Sequence, residues 1–141
     1  MSLQRLRKPG VDTKFVIDLG WWDRVGRDFN LYLRSTLCPS CRSEIADETQ
    51  LKDFDFVDPD TAEVRRVDAL WGRVITCCSQ QPDFITPTTP LSEAIFRALL
   101  AGGNTPLSPR EMHERIGKSD PETILRLLST GHIGYGIVTS R

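Results

Sequence analysis

The sequence predicts an α+β protein that is mainly helical, with a β-hairpin and a cysteine-rich metal site in its first half. Two observations support this prediction. The four cysteines form the motif Cys38-Pro-Ser-Cys41 and the adjacent pair Cys77-Cys78, and three helix patterns with their own start and stop signals follow residue 91. Of the 141 residues, 39% are hydrophobic and 26% are charged, which is ordinary for a globular protein. A chain of this length is long enough to bury one core.

Changes in composition divide the chain into four predicted segments. Residues 1–14 are polar and basic and should form a flexible arm, 15–81 a zinc-stapled α+β half, 82–90 a proline-rich linker, and 91–141 a second, helical module. No apolar run approaches the roughly 20 residues that span a bilayer, and no signal-peptide pattern follows the basic arm. We therefore expect a cytoplasmic protein that has no membrane partner.

The first half should contain a long helix, a hairpin and a shorter helix. Apolar residues at spacings of three and four predict one amphipathic helix over residues 21–36. Alternating Phe and Asp residues before a turn-rich stretch predict that residues 54–57 pair with residues 64–67. The alternative is a single helix over residues 60–78, and either interpretation makes residues 68–76 helical.

The second half should contain three short helices and a closing strand. Ser108, with Glu111 three residues later, forms a capping-box pattern, and Asp120-Pro121 gives a second start signal. A glycine follows each helix pattern, as is common at helix C-termini. The predicted helices cover residues 93–101, 109–116 and 121–130, and the predicted strand covers residues 132–139.

The order of these elements resembles a known module. Residues 91–138, with three helices, a glycine-bearing turn at Gly117 and a strand where a wing would begin, resemble the helix-turn-helix core of winged-helix domains. The resemblance implies a winged-helix-like module at 91–141 whose third helix is a recognition helix. The nucleic-acid contacts that it implies are Lys118, Ser119, Thr123 and Arg126. Winged-helix modules also dock proteins, and the mixed charges of this segment suit that use as well.

The cysteines predict a zinc site. In a cytoplasmic protein disulfides are disfavoured, and a Cys-x-x-Cys turn holds two thiolates at the spacing that one metal ion requires. We predict that Cys38, Cys41, Cys77 and Cys78 bind one zinc ion. Because neighbouring residues of a helix or strand point in different directions, Cys77 and Cys78 can both be ligands only if the backbone unwinds there.

Three alternatives to a four-cysteine site stay open. In the first, one cysteine of the adjacent pair belongs to the core, and an Asp, a His or water completes the site. In the second, the cysteines are buried free thiols, and in the third they do redox chemistry. A reactive Cys-x-x-Cys has its first cysteine at a helix N-terminus, which lowers the thiol pKa. The predicted helix ends at Cys38 instead, and this placement disfavours the redox alternative.

These features predict a non-enzymatic zinc-binding protein with a regulatory or adaptor role. Its partner is nucleic acid or protein, and we favour nucleic acid slightly, because a zinc knuckle and a helix-turn-helix most often occur together in nucleic-acid-binding proteins. The basic surplus that such binding needs is confined to residues 1–42, with 8 basic against 4 acidic side chains. The alternatives are a protein-interaction module with purely structural zinc and a thiol-redox protein. A homodimer through the amphipathic helices fits the same pattern.

Overall fold

The computed structural model describes residues 8–44, 54–57, 62, 64–67, 69–130 and 133–140. Within these ranges the chain is mainly helical and has two small antiparallel sheets, which confirms the predicted mixture of helix and strand. The elements in chain order are β1 (Phe15–Ile17), α1 (Leu19–Arg24), α2 (Phe29–Ser35), α3 (Pro39–Glu44), β2 (Phe54–Val57), β3 (Val64–Val67), α4 (Ala69–Thr76), a short 3-10 helix (Cys78–Gln80), α5 (Leu91–Ala101), α6 (Pro109–Ile116), α7 (Pro121–Ser129) and β4 (Ile137–Thr139).

The predicted single helix over residues 21–36 is wrong, because two helices occupy this stretch. α1 ends at Arg24, and Gly26 adopts a left-handed conformation with φ +72° that a helix interior does not allow. Asp28 then caps α2 by accepting hydrogen bonds from the backbone N–H groups of Asn30 and Leu31. The apolar spacing misled the prediction because both helices turn their apolar side chains, such as Trp22, toward one core.

The hairpin prediction is confirmed in its register. β2 and β3 pair antiparallel, with Phe54 opposite Val67 and Val57 opposite Val64. The alternative helix over residues 60–78 is therefore wrong, since residues 64–67 form a strand and α4 begins at Ala69.

The helix signals of the second half are also confirmed. Ser108 and Glu111 form a reciprocal capping box at the start of α6, and Gly117 ends this helix at φ +78°. Asp120 caps α7 by accepting a hydrogen bond from the Thr123 N–H at 2.7 Å. The closing strand is shorter than predicted, because Gly134 and Gly136 have positive φ and extended pairing begins at Ile137. Residue 132 of that prediction lies outside the described residues, as does Gly131, the glycine that follows the third predicted helix.

The strand β4 pairs with the N-terminal strand β1, with Phe15 opposite Thr139. On its other edge, β1 forms a bridge from Phe15 to Leu107, in the connection between α5 and α6. The three-helix order is thus observed, but β4 pairs with a strand from the other end of the chain. A winged-helix fold is not confirmed.

Asn104 completes the outer edge of β1. It follows the C-terminus of α5 at φ +66°, and its backbone N–H donates to the Leu99 carbonyl, as in a Schellman motif. Its side-chain oxygen accepts from the Ile17 N–H at 2.7 Å, and its amide nitrogen donates to the Ile17 carbonyl at 2.9 Å. The Asn104 side chain therefore hydrogen-bonds to the strand as a paired peptide group would.

The variant Asn104→Gly tests this edge contact. Glycine tolerates the positive φ, so the substitution removes the two hydrogen bonds without adding backbone strain. Ile17 is buried, and its unpaired backbone groups should lower the free energy of unfolding by about 1–3 kcal/mol in urea denaturation. A change below about 0.5 kcal/mol, the range of ordinary surface substitutions, would show that water replaces the side chain.

One core receives side chains from both predicted halves. Trp22, Leu33 and Val74 from the first half and Leu99 and Ile124 from the second belong to the same buried cluster. The linker region adds to this cluster through Phe84, which is 6% exposed. Within the predicted arm, Asp12 forms an ion pair with Arg110 of α6 at 3.0 Å. The division of the chain into an arm, two halves and a linker stays a prediction.

Candidate metal centre

Neighbouring helix ends bring the two cysteine pairs together. α2 ends at Ser35, and the chain passes through two buried residues to Cys38 and into α3. The end of α4 leads directly to Cys77, and α2 packs against α4. Arg73 of α4 also forms an ion pair with Glu44 of α3. The cysteines are therefore held by contacts that do not depend on a metal ion.

Three sulfur atoms lie at distances that suit one metal ion. The Sγ atoms of Cys38, Cys41 and Cys77 all lie within 4.8 Å of one another. The Cys38 and Cys77 Sγ atoms are 3.9 Å apart. A tetrahedral zinc ion with Zn–S bonds of about 2.3 Å separates its sulfur ligands by about 3.8 Å. This three-cysteine cluster could hold a metal ion, and its donor set fits zinc.

Cys78 is adjacent to this cluster. Cys77 has φ −127° and ψ −64°, so the backbone leaves the helical path between α4 and the 3-10 helix. This is the unwinding that two neighbouring ligands require. The Cys78 Sγ atom accepts a hydrogen bond from the Cys38 N–H at 3.2 Å and also interacts with the Cys38 and Cys41 thiols. It lies outside the set of three sulfurs that fall within 4.8 Å of one another.

Hydrogen bonding and burial separate the acidities of the thiols. A hydrogen bond from the Cys41 N–H to the Cys38 sulfur lowers the pKa of Cys38 to about 7, against the opposing effect of burial. Burial raises the pKa of Cys41 and the pKa of Cys78 above their ordinary value. In the absence of metal, one thiol therefore ionises near neutral pH while two buried thiols keep their protons.

The structure corrects the sequence argument against a reactive thiol. Cys38 directly precedes α3, which begins at Pro39, and so it stands at a helix N-terminus as well as after α2. The prediction failed because α3 is only six residues long and begins within the Cys-x-x-Cys motif, where no apolar periodicity reveals it.

We expect metal-free protein to show one thiol with unusual pH dependence. The pKa of Cys38 is lowered from 9.0 to about 7, so its alkylation rate should rise with pH through a midpoint near 7. Residue-resolved mass spectrometry after timed iodoacetamide pulses would measure this rate. The Cys38→Ser variant serves as the control and should lack the fast phase. A midpoint near 9 for Cys38 would contradict the hydrogen-bond argument.

A cleft of about 280 Å³ lies beside the cysteine cluster. Cys38 and Cys78 line it, together with the guanidinium-bearing residues Arg42 and Arg97. Arg42 donates to the Leu37 carbonyl at 3.2 Å, and Arg97 donates to the Phe84 carbonyl at 3.1 Å. Sequence reasoning missed both arginines: Arg42 directly follows the motif and could have been noticed, whereas Arg97 is brought in only by folding.

The predicted nucleic-acid contacts have different surroundings. Lys118 donates to the carbonyls of Pro87 and Thr89 and is half-buried. The Ser119 carbonyl and the ring nitrogen Nδ1 of His113 share a hydrogen bond at 2.7 Å. Thr123 is half-buried beside the Asp120 cap, and Arg126 is exposed. Among these four, only Arg126 is exposed.

Two further findings complete the description. Among the described residues, no helix is long and apolar enough to cross a membrane. Comparisons with protein-family models, curated proteins and solved structures found no match to this chain. Its function must therefore be inferred from the cysteine cluster and the surfaces around it.

Proposed function

We propose that the protein binds one structural zinc ion and acts as a non-enzymatic regulatory or adaptor protein. The observation that supports this proposal is the cluster of three Sγ atoms within 4.8 Å of one another, and we propose the adjacent Cys78 as the fourth ligand. Four protein ligands leave no open position for substrate, which is the arrangement of structural rather than catalytic zinc sites.

The position of the centre supports a structural role. Two of its sulfurs, those of Cys41 and Cys78, belong to residues that are 1% exposed and pack within the core cluster. Zinc would join α3 to the end of α4, which are separated in the chain by residues 45–68. Within that stretch, the structure describes only the hairpin strands and residue 62. The metal would thus hold α3 and the end of α4 together on either side of the hairpin.

Zinc content per chain tests the centre. Protein purified without a metal-affinity step should contain one zinc ion per chain by elemental mass spectrometry, and chelation should release three or four thiols together. The Cys78→Ser variant distinguishes three ligands from four. If Cys78 is a ligand, the variant should lose zinc to weaker chelators than wild type does. If Cys78 is only a neighbouring thiol, the variant should retain zinc as wild type does. Metal-free protein with four titratable thiols would contradict the proposal.

Although the sequence pattern slightly favours nucleic acid, we propose a protein as the partner. The Lys118 amine is hydrogen-bonded within the chain, and the exposed part of α7 carries Glu122 as well as Arg126. A nucleic-acid interface needs a surplus of basic groups, because phosphate neutralisation supplies much of the affinity. This mixed surface suits contacts with a protein.

Salt dependence distinguishes the two partner classes. Binding to a mixed-sequence DNA duplex, measured by fluorescence anisotropy, should be weak and unchanged in Arg126→Ala. Steep weakening between 50 and 200 mM salt, on the order of 10³-fold as for six phosphate contacts, would indicate a nucleic-acid-binding protein instead. Light scattering during size-exclusion chromatography would show in the same preparation whether the chain forms a homodimer.

A thiol-redox protein is the second candidate. It is supported by the position of Cys38 at the start of α3 and beside the cleft. Such a protein would catalyse the reduction of a small disulfide by dithiothreitol, and Cys38→Ser would abolish this turnover. With a structural zinc protein, the small disulfide would be reduced at the same rate as by dithiothreitol alone.

A further inference from the structure

We infer that Cys38 and Cys77 are an oxidisable pair, which a hydroperoxide converts to a disulfide in preference to the local pair Cys38 and Cys41. The inference depends on the arrangement of the thiols and holds for the metal-free chain. It goes beyond the proposed zinc centre, because it assigns to the cluster a modification that excludes zinc.

The cluster has an outer and an inner pair of thiols. Cys38 and Cys77 are half-buried, whereas Cys41 and Cys78 are each 1% exposed. The two outer sulfurs lie 3.9 Å apart and in contact with one another. A disulfide needs about 2.0 Å between its sulfurs, so side-chain rotations that move them together by about 2 Å complete the bond. Exposure therefore selects this pair among the four thiols, and its sulfurs are already in contact.

The cleft gives an oxidant access to one member of this pair. Cys38 and the buried Cys78, which is 1% exposed, line the cleft of about 280 Å³, whereas Cys77 does not. A hydroperoxide is small enough to enter, and attack on it requires only the exposed sulfur. Cys38 is therefore the sulfur that reacts first, and Cys77 is the resolving thiol.

The chemistry balances with hydrogen peroxide as the oxidant. The Cys38 sulfur attacks one peroxide oxygen, the O–O bond breaks, and one water leaves, giving a sulfenic acid. The Cys77 sulfur then attacks the Cys38 sulfur, the S–O bond breaks, and the hydroxyl leaves as a second water with the Cys77 proton. Two thiols lose two electrons and two protons, and the peroxide is reduced to two waters.

The product would be incompatible with the zinc centre. Cys41 and Cys78 would be the remaining thiols, and structural zinc sites use four ligands. The disulfide would still join residues 39 positions apart, at the same place as the metal. Oxidation would therefore release zinc, and the disulfide would replace the metal as the link between the start of α3 and the end of α4.

Disulfide mapping tests the inference. Metal-free and zinc-replete protein are treated with stepwise hydrogen peroxide, blocked with iodoacetamide, digested without reductant and analysed by mass spectrometry. The Cys38–Cys77 pair should be the most abundant disulfide in the metal-free protein, with free thiols falling from four to two. In the zinc-replete protein the same pair should form as zinc is released. Predominance of Cys38–Cys41, of any pair with Cys78, or of sulfinic acids without a disulfide would overturn the inference.

Two variants sharpen the result. In Cys77→Ser, peroxide should leave Cys38 as a sulfenic acid that dimedone traps, whereas Cys41→Ser should still form the Cys38–Cys77 bond. The wild-type map decides the question even if either variant folds poorly. Because the mapping is done on metal-free chains, a failed zinc measurement would refute the proposed function and leave the pairing result unaffected.

Discussion

Removing zinc is expected to lower the free energy of unfolding by about 4 kcal/mol, if free zinc was present at about 1,000 times its Kd. In the proposed centre the ion would bind only the folded arrangement of the sulfurs, because Cys38 and Cys77 lie 39 positions apart in the sequence and meet only on folding. The loss is a large share of the roughly 5–15 kcal/mol that holds a typical protein folded. Urea unfolding with buffered zinc, and again with chelator, would measure it.

Two variants show whether this loss comes from the cysteine cluster. Cys41→Ser should bind no zinc tightly and should unfold at the same urea concentration with and without the ion. Ser40→Ala changes an exposed residue within the same motif and should respond to zinc as wild type does. If chelation left the stability of wild-type protein unchanged, zinc would have no role in the folded state.

Truncation of Trp22 should have an effect of similar size. Trp22 is 1% exposed and packs its ring against Phe29, Tyr32 and Phe96, with centroids 5.3, 4.7 and 5.6 Å away. Its Nε1–H also donates to the Tyr135 carbonyl at 3.2 Å. Trp22→Ala would leave a cavity and an unpaired carbonyl, and we expect a loss of about 3–5 kcal/mol in urea unfolding.

The matched control for Trp22 is Leu31→Ala. Leu31 belongs to α2, which packs against Trp22, but its own side chain is 62% exposed. Its truncation should change the free energy of unfolding by less than about 0.5 kcal/mol. Similar losses in the two variants would mean that α1 and α2 do not pack as the structure describes. In that case the positions of Cys38 and α3 would also be in question.

Local signals predicted much of the fold. The capping box at Ser108, the left-handed glycine at Gly117 and the Asp120 cap act within a few residues, so the sequence contains all of their partners. The hairpin register was predictable for the same reason, because its strands are near neighbours in the chain. The helix over residues 21–36 was mispredicted because a buried face shared by two helices gives the same apolar spacing as one long helix.

Long-range contacts were beyond sequence reasoning. Nothing local indicates that β4 pairs with β1, or that the Asn104 side chain completes the other edge of that strand. The closing strand was correctly expected near the C-terminus, but its partner depends on how α5, α6 and α7 pack. A resemblance based on element order could not distinguish this arrangement from a winged helix, since both have the same three helices.

The sequence by itself indicated where a metal could bind, because a Cys-x-x-Cys turn holds two thiolates at the spacing of one metal ion and a second cysteine pair can add to it. It also determined most helix starts, because caps are local. Only the tertiary structure decided that Cys38 and Cys77 lie 3.9 Å apart, that Cys41 and Cys78 are the buried members, and that Arg97 faces the same cleft. These properties depend on packing between helices distant in the chain, and such packing is set by the whole core rather than by any one segment.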